Sequence, residues 1–387
     1  MKKLIYLLLI SMASCEPSTV GNTAGVDVEA VLDERAREIV EKAQEFLNQE
    51  PTPITMFVSD RSEGGIHDFY SEGDYWWMNP DDPEGPYIRK DGLSNPNNFL
   101  EHRIAMRNLN EWVSTLVAAY KITGEEKYAD HALTHLTAFF INKETLMNPS
   151  LLYAQAIKGR HTGRGIGIID TIHLIEVAKS IMNLRQLEYL TLEEYDGFKN
   201  WFDQYATWMN THQYGLDEKD HGNNHSTWWA AQMAAFSALA EREDLRKVSR
   251  EQFMKLISAQ MADDGSFPDE LSRTKPYNYS LFNLEGYAVL CELASDQGDL
   301  WNYEGEHGSV KKAFDYMLPY IEDKSRWTFP PDVSHFDEIP IRSVGLLLAG
   351  LAYEDQSILA IWKSLDPEKK SEEVKRNFPL WYPHNWI

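Results

Sequence analysis

The pattern that most constrains the fold of this chain is a helical hydrophobic periodicity that recurs in pairs. In the first pair, apolar residues three and four positions apart mark one face of each helix, and Gly124 gives a stop signal between them. These residues are Leu109, Trp112, Val113, Leu116, Val117 and Tyr120, followed by Ala132, Leu133, Leu136 and Phe140. Comparable pairs follow at 168–182 with 192–209, 228–240 with 250–261, 281–295 with 310–321, and 341–351 with 356–365.

Repeated helical hairpins with sparse strand signals predict an all-α fold. Hairpins of this length bury their apolar faces by packing side by side into a ring, whose inner helices then line a cleft. No Gly/Ser-rich or Pro-rich linker separates the helical blocks, so residues 29–387 are expected to form one catalytic domain. We therefore predict an (α/α) toroid, an incomplete barrel of helical hairpins.

The N-terminus has the composition of an export signal. Two lysines precede an apolar run at 4–10, which is too short to span a bilayer, and small residues follow before Cys15. This arrangement is similar to the signal peptide of bacterial lipoproteins. We expect residues 1–15 to be that signal, Cys15 to be the lipidation site and residues 16–28 to be a flexible tether. Plain secretion with cleavage nearby is the alternative.

A lipid anchor would place the protein in the periplasm or on the outer-membrane surface, and the anchor would be its only membrane contact. The one other cysteine is Cys291, in an apolar helical segment. If Cys15 carries lipid, no intramolecular disulfide can form, and Cys291 is expected to be a buried helix residue.

The formal net charge of −23 excludes one class of partner and restricts another. Nucleic-acid binding requires an excess of basic residues, so this function is excluded. A polyanionic sugar would be repelled at long range, so its site must be a local cluster of positive charge. Two segments offer such clusters: Lys158, Arg160, His161 and Arg164 in one, and Arg273 with Lys275 in the other.

The residues with the clearest chemical meaning lie between His221 and Tyr279. The run His221-Gly-Asn-Asn-His225 provides an amide at Asn224 and an imidazole at His225, and Arg273 follows downstream. In a uronate polymer, the hydrogen on C5 can be removed only when the neighbouring carboxylate is neutralised. The amide, the imidazole and the guanidinium supply donors for that carboxylate, and the phenol can pass a proton to the departing oxygen on C4. This set predicts β-elimination, the reaction of a polysaccharide lyase.

The proton transfers depend on the geometry of the sugar. An unperturbed phenol has a pKa of about 10, so Arg273 or a protonated His225 would have to lower it before Tyr279 could act as a base. A syn elimination on mannuronate can be run by Tyr279 alone. An anti elimination on glucuronate or guluronate needs a base on the opposite face, for which His225 is the candidate.

Structural roles for the same residues are the alternative. Asn224 or Ser226 would then cap the following helix. His221 and His225 are four positions apart and suggest a metal site, but the glycine and asparagines between them disfavour the rigid helix that paired histidine ligands use. We therefore predict no metal.

Arg273 and the tyrosines also have alternative roles. Arg273 would pair with Asp269 or Glu270 if it were structural. Tyr277 and Tyr279 would be ordinary half-buried aromatic residues. Tyr277 is also the fallback for the role of Tyr279.

Further residues are predicted to contact the sugar chain, because long sugars stack on aromatic rings and are fixed by polar groups at the rim. The predicted contacts are Tyr75, Tyr153, Gln155, His161, Arg164, Glu218, Trp228 and Tyr277. Glu218 has a second predicted role, which is to orient His225. The Gly-flanked segment 67–76 is expected to close over the cleft as a lid, and an ordered loop without that role is the alternative.

Several stretches resemble the alginate lyase superfamily with an (α/α) toroid fold. They are Asn-Pro-Ser-Leu-Leu-Tyr-Ala-Gln at 148–155, Gly-Arg-Gly-Ile-Gly-Ile-Ile-Asp at 163–170, Asn-Asn-His at 223–225, and Asp-Gly-Ser-Phe-Pro-Asp-Glu-Leu-Ser-Arg at 264–273. The resemblance extends from about Gly64 to the final helices. It implies that Asn224, His225 and Arg273 hold the carboxylate and that Tyr279 is the catalytic acid, or acid and base together.

The short spacing from Arg273 to Tyr279 and the segment 279–284 are more similar to polysaccharide lyase family 38 than to family 5. This resemblance implies a polymannuronate, as in alginate, or a polyglucuronate as the substrate. Proton transfer of this kind requires no cofactor.

Two other functions compete with the lyase. A hydrolase on a similar toroid, such as an unsaturated uronyl hydrolase, would use a pair of carboxylic acids, for which Asp263, Asp264 and Glu270 are available. A surface lipoprotein that only binds glycans would use aromatic platforms without chemistry.

Overall fold

The computed structural model describes residues 25–387, and this part of the chain is mainly helical. Its fourteen α-helices are α1 (Val28–Phe46), α2 (Glu101–Thr123), α3 (Glu126–Phe140), α4 (Leu174–Gln186), α5 (Leu192–Thr211), α6 (Gln213–Lys219), α7 (Asn224–Ala240), α8 (Glu243–Gln260), α9 (Pro268–Leu271), α10 (Pro276–Ala294), α11 (Val310–Glu322), α12 (Val344–Ala352), α13 (Gln356–Ser364) and α14 (Glu372–Asn377). Its strands are β1 (Tyr70–Glu72), β2 (Trp76–Trp77), β3 (Ile88–Arg89) and β4 (Tyr153–Ala156).

The predicted signal peptide, the Cys15 lipidation site and most of the predicted tether lie outside the described residues. Helix α1 begins at Val28, the last residue assigned to the tether. Among the helices of residues 25–387, none combines the length and the apolar composition that crossing a bilayer demands.

The long helices form two layers. Helices α2, α4, α7, α10 and α12 pack against one another in chain order as the inner layer. Each outer helix packs on an inner one: α3 on α2, α5 and α8 on α7, α11 on α10, and α13 on α12. Within residues 25–387 these hairpins form an incomplete ring and not a closed barrel. The predicted (α/α) toroid is confirmed.

The inner helices owe their position to their composition. Nearly every residue of α7 and α10 is buried, and apolar side chains surround both helices instead of forming a stripe. Such helices are stable only when neighbours cover them on all sides. Cys291 is fully buried in α10, as predicted.

One helix boundary matches the sequence pattern and several others differ from it. Helix α2 ends at the predicted Gly124, which adopts a φ of 69° and donates to the Tyr120 carbonyl. The helix expected from 168 begins only at Leu174, because 165–171 forms a 3-10 turn packed closely on β4. Helix α8 begins earlier than predicted, since its first turn is polar, and α12 begins at Val344 because the Ser343 side chain caps it.

Two short sheets hold the segment that precedes α2. Strand β1 pairs in parallel with β4, which places Tyr70 opposite Tyr153. Strand β2 pairs antiparallel with β3, which places Trp76 opposite Arg89. These pairings fix the loop that carries Tyr75 beside the ring of helices.

Candidate active site

A cleft with a cavity volume of about 780 Å³ lies at the ring, between the short strands β1 to β4 and the C-terminal helix α14. Seven of the residues predicted for the site line it: Tyr75, Gln155, Arg164, Asn224, His225, Arg273 and Tyr279. Asp74 and Trp76 of the predicted lid segment also line the cleft. Other polar lining residues were not predicted for the site: Arg89, Asp91, Arg103, Arg107, Asp170, His173, His221, Arg376 and Asn377.

The Asn224 and His225 side chains are placed by the start of helix α7. Gly222 adopts a φ of 96°, which turns the chain into the helix. Asn223 is the N-cap, and its side-chain oxygen accepts from the His225 backbone N–H at 3.1 Å. The alternative in which Asn224 or Ser226 caps this helix is therefore wrong. Because Asn223 is the cap, the amide of Asn224 is left for other contacts.

Asn224 is fixed by Glu270. One Glu270 oxygen accepts from the Asn224 backbone N–H at 2.8 Å, and the other accepts from Nδ2 at 2.7 Å. Burial raises the pKa of Glu270, and the two donors of Asn224 oppose this rise. An amide has two side-chain hydrogens, so one Asn224 N–H remains for a ligand in the cleft.

His225 is fixed by Glu218. Its Nδ1 lies 2.7 Å from Oε1 of Glu218, a carboxylate that is fully buried. A carboxylate only accepts, so Nδ1 carries the hydrogen and Nε2 is the nitrogen left for a ligand. The predicted substrate contact of Glu218 is wrong because the side chain has no exposed surface. Its contact is the one expected of a residue that orients His225.

Arg273 connects the cleft wall to Tyr279. Its Nε and Nη2 donate to the Asp91 carboxylate at 3.3 and 3.0 Å, and Nη2 also donates to the Tyr279 hydroxyl at 3.4 Å. The guanidinium lies over the Tyr279 ring, 4.5 Å from its centroid. Its partner is thus Asp91, and the alternative partners Asp269 and Glu270 do not bond to it. The fork leaves Nη1 free to donate.

Tyr279 is a buried phenol with two polar neighbours. Burial raises its pKa to about 12, although the charge of Arg273 and the hydrogen bond with Tyr75 both oppose the rise. The Tyr75 and Tyr279 hydroxyl oxygens are 2.8 Å apart. The segment predicted as a lid therefore touches the candidate proton carrier directly.

Positive charge is concentrated in the cleft. Six arginines line it against three aspartates, which gives a local field opposite to the net charge of the chain. Arg103 donates to Asp170 at 3.0 Å and also pairs with Asp74. These pairs occupy the aspartate carboxylates. The arginines that line the cleft still outnumber the aspartates, so the net charge of the lining is positive.

The predicted basic segments contribute only in part. Arg164 lines the cleft and donates to the backbone oxygen and the side-chain oxygen of Gln155 at 2.8 and 3.1 Å. Lys158, Arg160 and His161 of the same segment are exposed and lie outside the cleft lining. Lys275 is buried and pairs with Glu373 at 2.7 Å.

Four predicted substrate contacts besides Glu218 are also corrected by the structure. Trp228 and Tyr277 are both fully buried, and their polar atoms bond to the carbonyls of Phe282 and Tyr320. A ring without exposed surface cannot stack on a sugar.

Tyr153 packs on a small apolar cluster of Tyr70, Phe99 and Ala156, and His161 lies in the exposed loop. Neither lines the cleft.

The carboxylates proposed for a hydrolase are not placed as an acid and base pair. Asp263 and Asp264 are exposed and do not line the cleft, and Glu270 is used by Asn224. The aspartates that do line the cleft each bond to an arginine. The hydrolase alternative thus has no pair of acids in this site. Within residues 25–387, no three His, Cys, Asp or Glu side chains are grouped closely enough to hold a metal ion.

Weak sequence signals existed for some of the missed residues. Arg103 and Arg107 lie just before the apolar pattern that begins at Leu109, and their spacing of four positions places both on one face if the helix extends back to them. Two arginines on one helix face indicate an anionic partner. Arg376 and Asp91 lie in polar segments and have no such signal.

The toroid agrees with comparisons to known proteins. The sequence matches the alginate lyase family model over residues 54–327, which is most of the chain, and the chain belongs to this family. A similar solved structure is an alginate lyase from Bacteroides ovatus, with 28% identity and a TM-score of 0.77 over 94% of this chain and 100% of that chain.

Alginate lyase A1-III from Sphingomonas species A1 shares the fold, with 17% identity and a TM-score of 0.52 over 82% of this chain and 88% of that chain. Among curated proteins, no sequence matches at a significant level. The closer likeness to family 38 than to family 5 stays a prediction.

Proposed function

We propose that this protein cleaves a 1,4-linked polyuronate by β-elimination, with a polymannuronate (alginate) or a polyglucuronate as substrate. The observation that carries the proposal is the convergence of Tyr279, Arg273, Asn224 and His225 on one cleft. Buried carboxylates hold Asn224 and His225, and the Arg273 Nη2 lies 3.4 Å from the Tyr279 hydroxyl. Family membership and the similar alginate lyase from Bacteroides ovatus support this chemistry.

In the proposed reaction, the uronate carboxylate is bound by the free N–H of Asn224, by Nε2 of His225 when protonated, and by Nη1 of Arg273. These donors stabilise the charge that develops as the C5 proton leaves. The electron pair of the C5–H bond forms the C4–C5 double bond, and the C4–O bond breaks. The departing oxygen takes a proton from Tyr279.

Which residue acts as the base depends on the stereochemistry of the substrate. If the C5 hydrogen and the leaving oxygen lie on one face, ionised Tyr279 takes the first proton and returns it to the oxygen. If they lie on opposite faces, neutral His225 takes the proton through Nε2. Glu218 holds the tautomer that this role needs, since it bonds to Nδ1.

The decisive measurement is the ultraviolet absorbance of the 4,5-unsaturated product, recorded with polymannuronate, polyguluronate and polyglucuronate in parallel. A rise with one polymer, abolished in Tyr279→Phe, supports the proposal and names the substrate. New reducing ends without the absorbance would instead indicate a hydrolase. Binding without either signal would indicate a glycan-binding protein.

We also propose that the protein is exported and anchored through Cys15. Metabolic labelling with a fatty acid should mark the wild-type protein and not Cys15→Ser. Equal labelling of both proteins would contradict the anchor.

A further inference from the structure

The C-terminal helix α14 lies beyond residues 54–327, which the family model covers, yet it contributes Arg376 and Asn377 to the cleft. Arg376 is held from two sides. It pairs with Asp74, and its Nη2 lies 3.0 and 2.9 Å from the two oxygens of Glu373. The position of its guanidinium is therefore fixed by the fold and not by substrate.

The same Nη2 donates to the Tyr75 hydroxyl at 3.3 Å. A guanidinium only donates, so the Tyr75 oxygen accepts this bond and its own hydrogen is free to point elsewhere. The nearest phenolic oxygen is that of Tyr279, at 2.8 Å. Arg273 donates to this oxygen from another side at 3.4 Å. An ionised phenol oxygen only accepts, so in the ionised form of Tyr279 the hydrogen between the two oxygens belongs to Tyr75, and the Tyr279 oxygen accepts from both Tyr75 and Arg273.

We propose that Arg376 is a positioning residue for the reaction: it fixes the direction of the hydrogen bond from Tyr75 to Tyr279 and thereby favours the ionised form of Tyr279. This inference rests on the proposed function, because it takes Tyr279 to be the proton carrier. The step moves no additional atoms. The proton that Tyr279 releases goes to solvent or to the leaving oxygen, and Tyr75 keeps its own.

The electrostatics of the cleft support this direction. Burial raises the pKa of Tyr75 well above its ordinary value, and the nearby Tyr279 and Glu373 raise it further. Tyr75 therefore remains a donor when Tyr279 ionises. The charged and titratable groups that face the two phenols are Arg273, Lys275, Arg376, Asp91 and Glu373. Of the cations in this set, only Arg376 donates a hydrogen bond to Tyr75.

The ionisation of Tyr279 can be measured without substrate. We would replace Tyr279 by 3-nitrotyrosine, whose phenol ionises at lower pH and whose phenolate absorbs visible light, and titrate it in otherwise wild-type protein. The same titration would follow in Arg376→Gln, Arg376→Lys, Tyr75→Phe and the double variant. Lys375→Gln is the matched control, because it removes a charge from the same helix and its partners are Glu111 and Glu372.

Loss of a hydrogen bond in a charged network corresponds to about one pH unit or more. We therefore expect Arg376→Gln and Tyr75→Phe each to move the titration to higher pH by about one unit. The double variant should move no further, since Arg376 acts through Tyr75. Arg376→Lys should restore part of the shift, and Lys375→Gln should leave the titration unchanged.

Steady-state kinetics distinguish a positioning role of Arg376 from a role in substrate binding. In unmodified protein, Arg376→Gln should lower kcat about tenfold with little change in KM, and it should move the rising limb of the pH profile upward. A raised KM with an unchanged titration would mean that Arg376 binds the sugar carboxylate, which overturns the proposal. Additive shifts in the double variant would also overturn it.

Two controls keep the test interpretable. If Arg376→Gln lowers the melting temperature too far for titration, Tyr75→Phe carries the test, because it leaves the contacts of Arg376 with Asp74 and Glu373 in place. If wild-type protein forms no unsaturated product on any polyuronate, the proposed function fails, whereas the titration still decides whether Arg376 controls the ionisation of Tyr279.

Discussion

The hydroxyl oxygens of Tyr75 and Tyr279 lie 2.8 Å apart, although 204 positions separate the two residues in the chain. Tyr75 belongs to the segment between β1 and β2, and Tyr279 lies in the first turns of α10. The contact therefore joins the segment beside the ring to an inner helix. It makes the proposed proton carrier dependent on a part of the chain that is remote in sequence.

Replacement of Tyr279 by Phe should lower kcat/KM by at least about a hundredfold, the scale expected when a general acid or base is lost. Stability should fall by no more than about 1 kcal/mol, because the ring and its packing remain and Tyr75 and Arg273 keep their bonds to Arg376 and Asp91. The control is Tyr277→Phe, which removes a buried hydrogen bond to the Tyr320 carbonyl at 2.9 Å. That variant should lose about 1 kcal/mol of stability and keep its activity. The reverse result would assign the proton transfer to Tyr277.

Replacement of Glu218 by Gln should lower kcat at least about tenfold, because the amide can offer either a donor or an acceptor to Nδ1 of His225 and no longer fixes the tautomer. The matched control is Asp220→Asn. Asp220 lies at the end of α6, the helix that contains Glu218, and its exposed carboxylate pairs with Lys255. Steady-state kinetics of the two variants give the comparison. Equal activity of Glu218→Gln and wild type would show that the orientation of His225 does not matter.

Asp91 should make the stability of the protein depend on acid pH. Burial opposes its ionisation, but the hydrogen bonds and charge of Arg273 outweigh burial and lower the pKa of Asp91 from 3.8 to about 2. The stabilisation is therefore fully present when the pH is above the pKa of Asp91 in the unfolded chain, and it is lost as the pH falls through the pKa of Asp91 in the folded protein. Its size is about 2 kcal/mol.

Urea unfolding of the wild type and of Asp91→Asn, measured over a range of acid pH, tests the contribution of Asp91 to stability. The difference in the free energy of unfolding should shrink as pH falls from about 4 to about 2. A difference that stays constant over this window would contradict the role given to Arg273. Activity of the variant at neutral pH should also fall, because Arg273 loses the partner that orients it.

Replacement of Arg103 by Gln should destabilise the protein by about 3 kcal/mol, because it leaves the carboxylates of Asp74 and Asp170 without their shared cation. Arg326→Gln is the matched control. Its guanidinium is more than half exposed and its pair with Glu322 is long, at 3.8 Å, so its loss should cost less than about 1 kcal/mol. Equal effects of the two variants in chemical denaturation would show that the Asp74–Arg103–Asp170 contacts are not important for the fold.

Much of the candidate site was predictable because four of its residues form two pairs that are close together in the sequence. Asn224 and His225 are adjacent, and Arg273 and Tyr279 are six positions apart, so one short motif and one short spacing indicated the chemistry. Aromatic type was a poor guide to substrate contact. Trp228 and Tyr277 have the same ring chemistry as Trp76 and Tyr75, but the first two face the core and the second two line the cleft.

The sequence by itself determined the helical hairpins, because a period near 3.6 residues records which face of each helix is buried. It also named the candidate carboxylate-binding residues, because their side-chain types supply donors for an anion. The tertiary structure decided which groups position those residues. Glu218, Glu270, Asp91, Tyr75 and Arg376 reach them from separate segments. A contact between a buried charge and its partner depends on distance in space, and no local pattern records that distance.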